Sequence, residues 1–431
     1  MPPSVLPSRG FVWWITHRNT RFPPATTASA RPLTSQSLRS STVTAHPVIT
    51  RWIRGSHSNY FAEVYRLWCD VVFKPSESPS RMAPMTLHAP SGDEVTSPAG
   101  LEGVSGTLLP GLVDIQVNGG FGHDFTTDPS SIWEVGALLP QFGVTAFLPT
   151  VISGPVEVAT AALEVLSAGP PADWQGARPL GLHVEGPMIS PAKRGTHPSK
   201  ELIAPSPEYF YALLRSSPPA MVTIAPELEG AEDAVKRLAA AGSTIALGHS
   251  DATVEQAGAA VGWGATHVTH VLNAMSGLHH RTPGLAAIAL TDDELTVGLI
   301  ADGIHIEPTM LRLVLRAKGP ERIALVTDAM SAMGMPGGNH TIGSTSVLVE
   351  GITVRNAEGN LAGSAATLDA VLRTMVETTG CSLSDVAVMT STTPYHILGM
   401  ALPPTDQVVL GKDLTVKATV VDGEILYRSG A

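Results

Sequence analysis

The sequence predicts an α/β protein built on a TIM-like (β/α)8 barrel, with a small β-sandwich formed by the two ends of the chain. Eight apolar runs of strand length follow one another between residues 108 and 330, with helix-like or turn-rich stretches between them. Runs rich in Val, Ile and Leu are typical of parallel strands that are covered on both faces. Polar residues suited to metal binding or acid–base chemistry follow several runs, as expected at the carboxyl ends of barrel strands.

The order of these elements predicts the barrel strand by strand. The eight strands are expected at Leu109–Val117, Val144–Val151, Pro179–Val184, Met221–Pro226, Ser243–Leu247, Thr266–Leu272, Leu295–Ala301 and Arg322–Thr327. The segments between them are long enough to be the crossover helices of βαβ units. Helices are expected at Ser131–Phe142, Val156–Ser167, Pro207–Arg215, Ala231–Ala241, Val254–Val261 and Pro308–Lys318, and a turn-rich stretch ends near Leu290.

Candidate functional residues lie at the ends of these strands. They are Gln116 and Asn118 (first strand), Glu185 (third), Glu227 (fourth), His249 (fifth), His270 (sixth), Asp302 and His305 (seventh) and Asp328 (eighth). The carboxyl ends of barrel strands face one bowl, so residues that are distant in sequence are expected to converge there. This phasing predicts one active site at that end of the barrel.

Composition narrows the classes of function. The chain has 431 residues, 43% of them hydrophobic, and a formal net charge of −11. An acidic chain without a basic stripe argues against nucleic acid as its main partner, although a few local cations can still hold a phosphorylated ligand. No apolar run approaches the roughly 18 residues that span a bilayer. Two cysteines, Cys69 and Cys381, cannot form a disulfide framework, so a reducing cytoplasm is the expected location.

The two ends of the chain are the least regular parts. Residues 1–62 contain seven Arg and no Asp or Glu. They are expected to be a disordered or non-native extension: a transit-like peptide, a disordered arm, or sequence upstream of the true translation start. Residues 63–107 are expected to hold remnants of N-terminal sandwich strands, 108–400 the barrel and 401–431 the C-terminal sandwich strands. Strands are expected at Gln407–Leu410 and within Leu414–Tyr427, the latter divided by a turn at Asp422.

One carboxylate and two imidazoles are predicted to meet at the rim of the barrel. Glu185, His249 and His270 form the kind of ligand set that zinc and similar ions prefer, with one position left open. Asp328 is then placed to take a proton from water and return it to a leaving amine, which is the chemistry of amide hydrolysis. A single His or Asp at a strand end is more often a structural residue or a helix cap. Four such residues on one rim favour a catalytic metal site.

Seven motifs occur in the order found in one enzyme family. They are Asp114–Gly122, Leu182–Pro187 with Lys193–His197, Gly248–Ser250, Thr269–Met275, Ala301–His305, Leu325–Met330 and Leu361–Ser364. Any one of these motifs is weak evidence for a family. Together they resemble the N-acetylglucosamine-6-phosphate deacetylases of the amidohydrolase superfamily, and the resemblance extends from Pro110 to Gly399. The resemblance implies a metal-dependent hydrolase that converts N-acetylglucosamine 6-phosphate into glucosamine 6-phosphate and acetate in amino-sugar catabolism and recycling.

The resemblance also implies a role for each matching residue. Glu185, His249 and His270 correspond to metal ligands, and Asp328 to the general acid and base. The implied substrate-binding residues are Thr196, His197, Asn273, Ala274, Arg281, His305, Leu361, Ala362 and Gly363. Within this set the loop with Thr196 and His197 covers the acetyl group and the metal. Arg281 is expected to reach the phosphate in the other active site of a homodimer, a task that suits its planar, bidentate guanidinium.

Gln116 and Asn118 stand where many members of the superfamily carry a His-x-His pair for a second metal. Neutral amides are poor ligands beside imidazole. One divalent ion per chain is therefore expected, with zinc as the first candidate and iron, cobalt and manganese as alternatives.

Two other functions are compatible with parts of the sequence. Another amidohydrolase activity, D-aminoacylase-like or cyclic-amidase, would use the same metal chemistry, but Arg281 and the loop with Asn273 imply a phosphorylated sugar. A catalytically impaired relative that only binds a sugar phosphate is the other hypothesis, suggested by the unusual N-terminus. The intact metal-binding set and Asp328 argue against it.

Overall fold

Eight short parallel strands build the central barrel. A computed structural model describes residues 87–88, 94–95 and 100–430, and the predicted extension at residues 1–62 lies outside this part. The barrel strands are Leu112–Val117, Val144–Val151, His183–Glu185, Met221–Ile224, Thr244–Leu247, Ala265–Val268, Thr296–Leu299 and Ile323–Leu325. They pair in sequence order, and a parallel bridge from Val117 to Ala329 joins the two ends of the sheet. The predicted barrel is confirmed.

Helices connect successive strands and bury one face each. They are Ile132–Leu138, Val156–Ala168, Pro207–Ser216, Ala231–Ala240, Val254–Trp263, Leu285–Thr291 and Pro308–Lys318. The fourth of these shows the pattern: Ala234, Val235 and Leu238 are buried at helical spacing, while its charged residues face solvent. Several ends carry local signals, such as the capping box in which Thr253 and Gln256 satisfy each other's backbone N–H groups. None of the helices in the described part of the chain has the length and apolar character of a membrane span.

A second sheet combines segments from both sides of the barrel. Its strands, in spatial order, are Glu94–Val95, Leu87–His88, Gly106–Pro110, Gln407–Leu410, Val416–Val421 and Glu424–Arg428. Leu101, Leu108, Val409 and Ala418 form its apolar cluster. The C-terminal strands predicted from the sequence are confirmed, including the turn at Asp422, whose φ of 52° lies in the left-handed region.

The predicted strand Leu109–Val117 was too long. The structure divides this run at Gly111: Gly106–Pro110 pairs with Gln407–Leu410 of the second sheet, and Leu112–Val117 pairs with Val144–Val151 of the barrel. A Cβ atom on Gly111 would lie 2.2 Å from Oγ1 of Thr145. Glycine therefore allows the close approach at which the chain passes from one sheet to the other. The predicted strand Pro179–Val184 is also divided, into Arg178–Pro179 and His183–Glu185.

The segment after the eighth barrel strand contains elements that the sequence did not predict. Three antiparallel strands, Gly338–Ile342, Thr345–Glu350 and Thr353–Asn356, form a separate sheet. Three helices follow at Leu368–Thr379, Leu383–Ala387 and Thr393–Ile397, the last two joined by the π-helical turn Val388–Thr392. The small sheet positions residues 358–363 at the bowl of the barrel.

Candidate active site

A cavity of about 420 Å³ lies at the carboxyl ends of the barrel strands. The sequence-predicted residues that line it are Asn118, Glu185, Thr196, His197, His249, His270, Asn273, Ala274, His305, Asp328, Leu361 and Gly363. Gln116 lies behind this surface, in contact with Glu185. Ala362 is buried and Arg281 is exposed, and neither lines the cavity of its own chain. Residues from many separate strands and loops thus meet in one bowl.

Glu185, His249 and His270 form a tight buried cluster at the base of the cavity. Nε2 of His270 lies 3.0 Å from Oε1 of Glu185 and 3.0 Å from Nε2 of His249, and Nε2 of His249 lies 3.3 Å from the same carboxylate oxygen. Burial alone would raise the pKa of Glu185, but the close imidazoles of His249 and His270 hold it well below its usual range. The cluster therefore contains an ionised carboxylate.

The hydrogen bond on the far side of His249 decides which nitrogen faces the cluster. Its Nδ1 lies 2.9 Å from the backbone carbonyl of Lys193. A carbonyl can only accept, so Nδ1 carries the proton and a neutral ring directs the Nε2 lone pair at Glu185 and His270. A lone pair that faces a carboxylate and a second imidazole at these distances is unfavourable unless a cation stands among them or a ring is protonated. The donor set therefore fits a divalent ion held by these three residues.

His197 is a third imidazole beside this cluster, with a different orientation of its proton. The ligating atoms of Glu185, His197 and His249 lie within 4.8 Å of one another, and Nε2 of His197 is 3.9 Å from Oε2 of Glu185. However, the backbone N–H of Ser153 donates to Nδ1 of His197, so the proton of a neutral ring lies on Nε2. Burial lowers the pKa of His197 to about 3 and keeps the ring neutral. His197 thus offers the cavity a hydrogen-bond donor, whereas His249 offers a lone pair.

Asp328 faces the same cavity from the end of the eighth strand. Its Oδ1 accepts a hydrogen bond of 2.7 Å from Nδ2 of Asn118. Burial, followed by the charge of Glu185, raises the pKa of Asp328 to about 6. A carboxylate with a pKa near neutral can both take up and release a proton in one reaction cycle. The Oδ1 atom of Asn118 is buried without a partner among the described residues, which leaves it available to a group in the cavity.

Gln116 is oriented by two hydrogen bonds that identify its role. Oγ1 of Thr269 donates to its Oε1 at 2.8 Å, and its Nε2 donates to Oε1 of Glu185 at 3.0 Å. The amide therefore presents a donor to the metal-binding carboxylate and keeps its own oxygen away from the cluster. Gln116 holds Glu185 in place.

Strained backbone conformations accompany the central residues. His249, His270 and Asp328 have φ values of 46°, 25° and 51°, in a region that residues other than glycine rarely adopt. Such strain concentrates at functional sites, where the surrounding structure enforces it. Gly248 makes the turn before His249 feasible, because a Cβ there would lie 2.2 Å from Cγ2 of Thr269.

The wall and mouth of the cavity combine predicted and unpredicted residues. His305 is held by Asp302, whose Oδ2 accepts from its Nδ1 at 2.7 Å. The unpredicted lining residues include Ile152, Lys193, Arg194, Ile342, Glu358 and Asn360. Glu227, a strand-end candidate, does not line the cavity and instead accepts hydrogen bonds from Ser250 and Asp251.

Comparison with known proteins gives one consistent result. The model of the amidohydrolase family matches residues 107–426. Human N-acetylglucosamine-6-phosphate deacetylase is 39% identical over 350 residues, which cover 75% of this chain and 84% of the human protein. N-acetylgalactosamine-6-phosphate deacetylase of Escherichia coli O157:H7 is 37% identical over 297 residues, 68% of this chain and 78% of that protein.

A solved structure supports the same relationship. It is a Mycobacterium smegmatis N-acetyl-D-glucosamine-6-phosphate deacetylase variant in complex with N-acetyl-D-glucosamine 6-phosphate. It superposes with a TM-score of 0.70 at 32% identity, covering 77% of this chain and 91% of that one.

Proposed function

The chain belongs to the amidohydrolase family, and we propose that it hydrolyses the acetamide of N-acetylglucosamine 6-phosphate, releasing acetate and glucosamine 6-phosphate. One observation carries the proposal: a buried set of metal-binding residues and a carboxyl group with a pKa of about 6 share one cavity. Relatives that carry this activity match about three quarters of the chain. The reaction belongs to amino-sugar catabolism, and the cytoplasm is its proposed location because the sequence, with two cysteines, lacks a disulfide framework.

We assign one divalent ion to Glu185, His249 and His270, with zinc as the first candidate. When bound, such an ion supplies Lewis acidity to the amide carbonyl and to the attacking water. Gln116 stabilises the ligand arrangement through its hydrogen bond to Glu185. Because the amide groups of Gln116 and Asn118 are poor ligands, a second tightly bound ion is not expected.

Asp328 is the proposed general base and acid. With a pKa of about 6 it is mostly ionised at pH 7, so it can remove a proton from the attacking water. The carboxyl group, once protonated, then returns this proton to the nitrogen of the leaving amine. Asn118 orients the carboxylate throughout, through the hydrogen bond to Oδ1.

His197 is proposed to donate from Nε2 to the oxygen of the acetyl group. Its neutral ring and its proton on the cavity side suit a donor to developing negative charge. Thr196, Asn273, Ala274, His305, Leu361 and Gly363 are proposed to contact the sugar from the walls of the cavity. Ala362 is proposed to act through its backbone, since its side chain is buried.

The phosphate is proposed to bind Arg281 of the partner subunit in a homodimer. Arg281 is exposed on its own chain, which is the position a side chain needs to reach across an interface. An Arg provides two parallel donors to phosphate oxygens. The substrate is thus a small phosphorylated amino sugar, and neither nucleic acid nor membrane is a proposed partner.

Acetate release from N-acetylglucosamine 6-phosphate tests the proposal. The purified protein should release acetate and glucosamine 6-phosphate in equal amounts. N-acetylgalactosamine 6-phosphate is the second substrate to assay, because a deacetylase for that sugar is among the relatives. Release from N-acyl-D-amino acids instead would favour the D-aminoacylase-like alternative. Tight binding of the sugar phosphate without turnover would favour an impaired binding protein.

A further inference from the structure

Two cations at the mouth of the cavity have no part in the chemistry described so far. Among the described residues that line the cavity, the lysine and arginine side chains are those of Lys193 and Arg194. Both belong to the short turn that begins at Pro191. The lining carboxylates are Glu185 and Asp328 at the base and Glu358 at the mouth. A dianionic ligand should therefore orient its charge toward this turn.

Arg194 is already engaged in holding the loop. Its Nη1 donates to the carbonyls of Gly195 and His197, at 3.4 and 3.3 Å. Its Nη2 faces both carboxylate oxygens of Glu358, at 3.3 and 3.4 Å. These contacts tie the loop of His197 to the segment that follows the three-stranded sheet. Few donors of Arg194 remain for a ligand.

Lys193 is differently situated. Its Nζ has an ion pair with Oδ1 of Asp251 at 3.3 Å, and the side chains of Lys193 and Asp251 are 30% and 55% exposed. An exposed pair of this kind contributes little stability, so the ammonium can exchange its partner at small cost. The ammonium also has three donors, and lysine is a common phosphate ligand that acts as a point charge.

The backbone around Lys193 fixes where this ammonium can reach. The carbonyl of Lys193 accepts from His249, beside the metal-binding cluster. Asp251 follows Ser250, whose N–H donates to the carbonyl of Ala274. Lys193 is therefore joined to the metal-binding cluster through its carbonyl and to Asp251 through its ammonium, and it lines the same cavity as Asn273 and Ala274.

We propose that Lys193 determines specificity by binding the phosphate of the substrate from within the same chain, and that Asp251 is its partner when no substrate is bound. The inference rests on the proposed deacetylase function. It adds an intrachain phosphate contact to that of Arg281 from the partner subunit.

Comparison of two substrates across lysine variants tests the inference. Lys193→Gln removes the charge at similar length and leaves the backbone carbonyl that holds His249. The KM for N-acetylglucosamine 6-phosphate should rise about tenfold to a hundredfold, the range for losing one hydrogen bond to a charged group. The kcat/KM for unphosphorylated N-acetylglucosamine should change less than about twofold, since that substrate has no phosphate to lose. Lys193→Arg should restore most of the affinity.

Lys200→Gln is the matched control. Lys200 lies a few residues along the same loop, is 76% exposed and pairs with Glu201 outside the cavity, so its variant should keep wild-type kinetics. Inhibition by the product glucosamine 6-phosphate provides a second readout, and Lys193→Gln should weaken it by the same factor as KM. Equal changes on the two substrates, or unchanged product inhibition, would overturn the role of Lys193. Failure of the wild-type protein to deacetylate the phosphorylated sugar would instead overturn the proposed function.

Discussion

Replacement of Asp328 by Asn separates proton transfer from metal binding more cleanly than any other single change in this site. The substitution keeps the size of the side chain and removes its basicity. The side chain of Asp328 accepts a hydrogen bond from Nδ2 of Asn118, at 2.7 Å, and it is not one of the three proposed ligands. The negative charges of Asp328 and Glu185 repel each other, so removing the charge of Asp328 takes no attractive contact away from Glu185. The metal content of Asp328→Asn should therefore stay close to that of the wild type.

The expected loss of turnover follows from the role of the carboxyl group. A positioned general acid or base contributes about two to four orders of magnitude in rate, or about 3–5 kcal/mol in activation free energy. The wild-type kcat/KM should also fall tenfold per pH unit on the acid side, because protonated Asp328 cannot accept the proton of water. Its pKa of about 6 sets the upper limit for the midpoint of this fall, since a bound cation lowers a neighbouring carboxyl pKa. Asp328→Asn should lose the acid limb.

Acetate release at several pH values and the metal content of the same preparations provide the measurement. Asp233→Asn, on the outer face of a helix where Asp233 pairs with Arg237, is the control and should keep full activity. Turnover of Asp328→Asn within tenfold of the wild type, or an unchanged acid limb, would show that another group transfers the proton.

Three further perturbations test other parts of the account. Arg281→Ala should raise KM for the phosphorylated sugar far more than for the unphosphorylated one, and mixed dimers with Asp328→Asn chains should regain activity; equal losses without rescue would make Arg281 a structural residue. Gly106→Ala would bring a Cβ within 2.2 Å of the Leu410 carbonyl, so it should lower stability by about 1–3 kcal/mol without changing metal affinity; an unchanged melting temperature would contradict this. Burial lowers the pKa of His267 to about 3, so below pH 6.5 the unfolded ring binds a proton that the folded ring does not. Stability should fall as pH falls, and His267→Gln should remove about 2 kcal/mol of the loss between pH 6.5 and 5, as denaturant unfolding can show.

The sequence predicted those parts of the structure that depend on local pattern. The barrel strands from Val144–Val151 onward are short apolar runs. The positions of Glu185, His249, His270 and Asp328 after the ends of such runs were enough to predict that these residues share one cavity, as they do in the structure. The division at Gly111 escaped prediction because Leu109–Val117 is apolar on both sides of the glycine. The pairing of each half with a different sheet and the close approach of Gly111 to Thr145 show where one sheet ends.

Other parts of the site depend on contacts that leave no mark in the sequence. Ser153 sets the proton position on His197 through a backbone N–H, which every residue except proline provides. Arg194 and Glu358 pair across 164 residues, and no local signal links them. In the central strand of the sheet that precedes Glu358, buried and exposed positions alternate. The apolar residue Leu348 lies at an exposed position, at 49%, so the sequence itself does not show this alternation.

Titration of the metal-free protein with a divalent ion tests the central claim most directly. The chain, stripped by a chelator, should release no acetate from N-acetylglucosamine 6-phosphate, and activity should rise linearly with added zinc to a plateau at one ion per chain. His249→Ala, which lacks one of the three proposed ligands, should bind the ion weakly and remain inactive at the same loading. Full activity in the metal-free protein, or a plateau only at two ions per chain, would contradict the mononuclear metal-dependent deacetylase proposed for this fold.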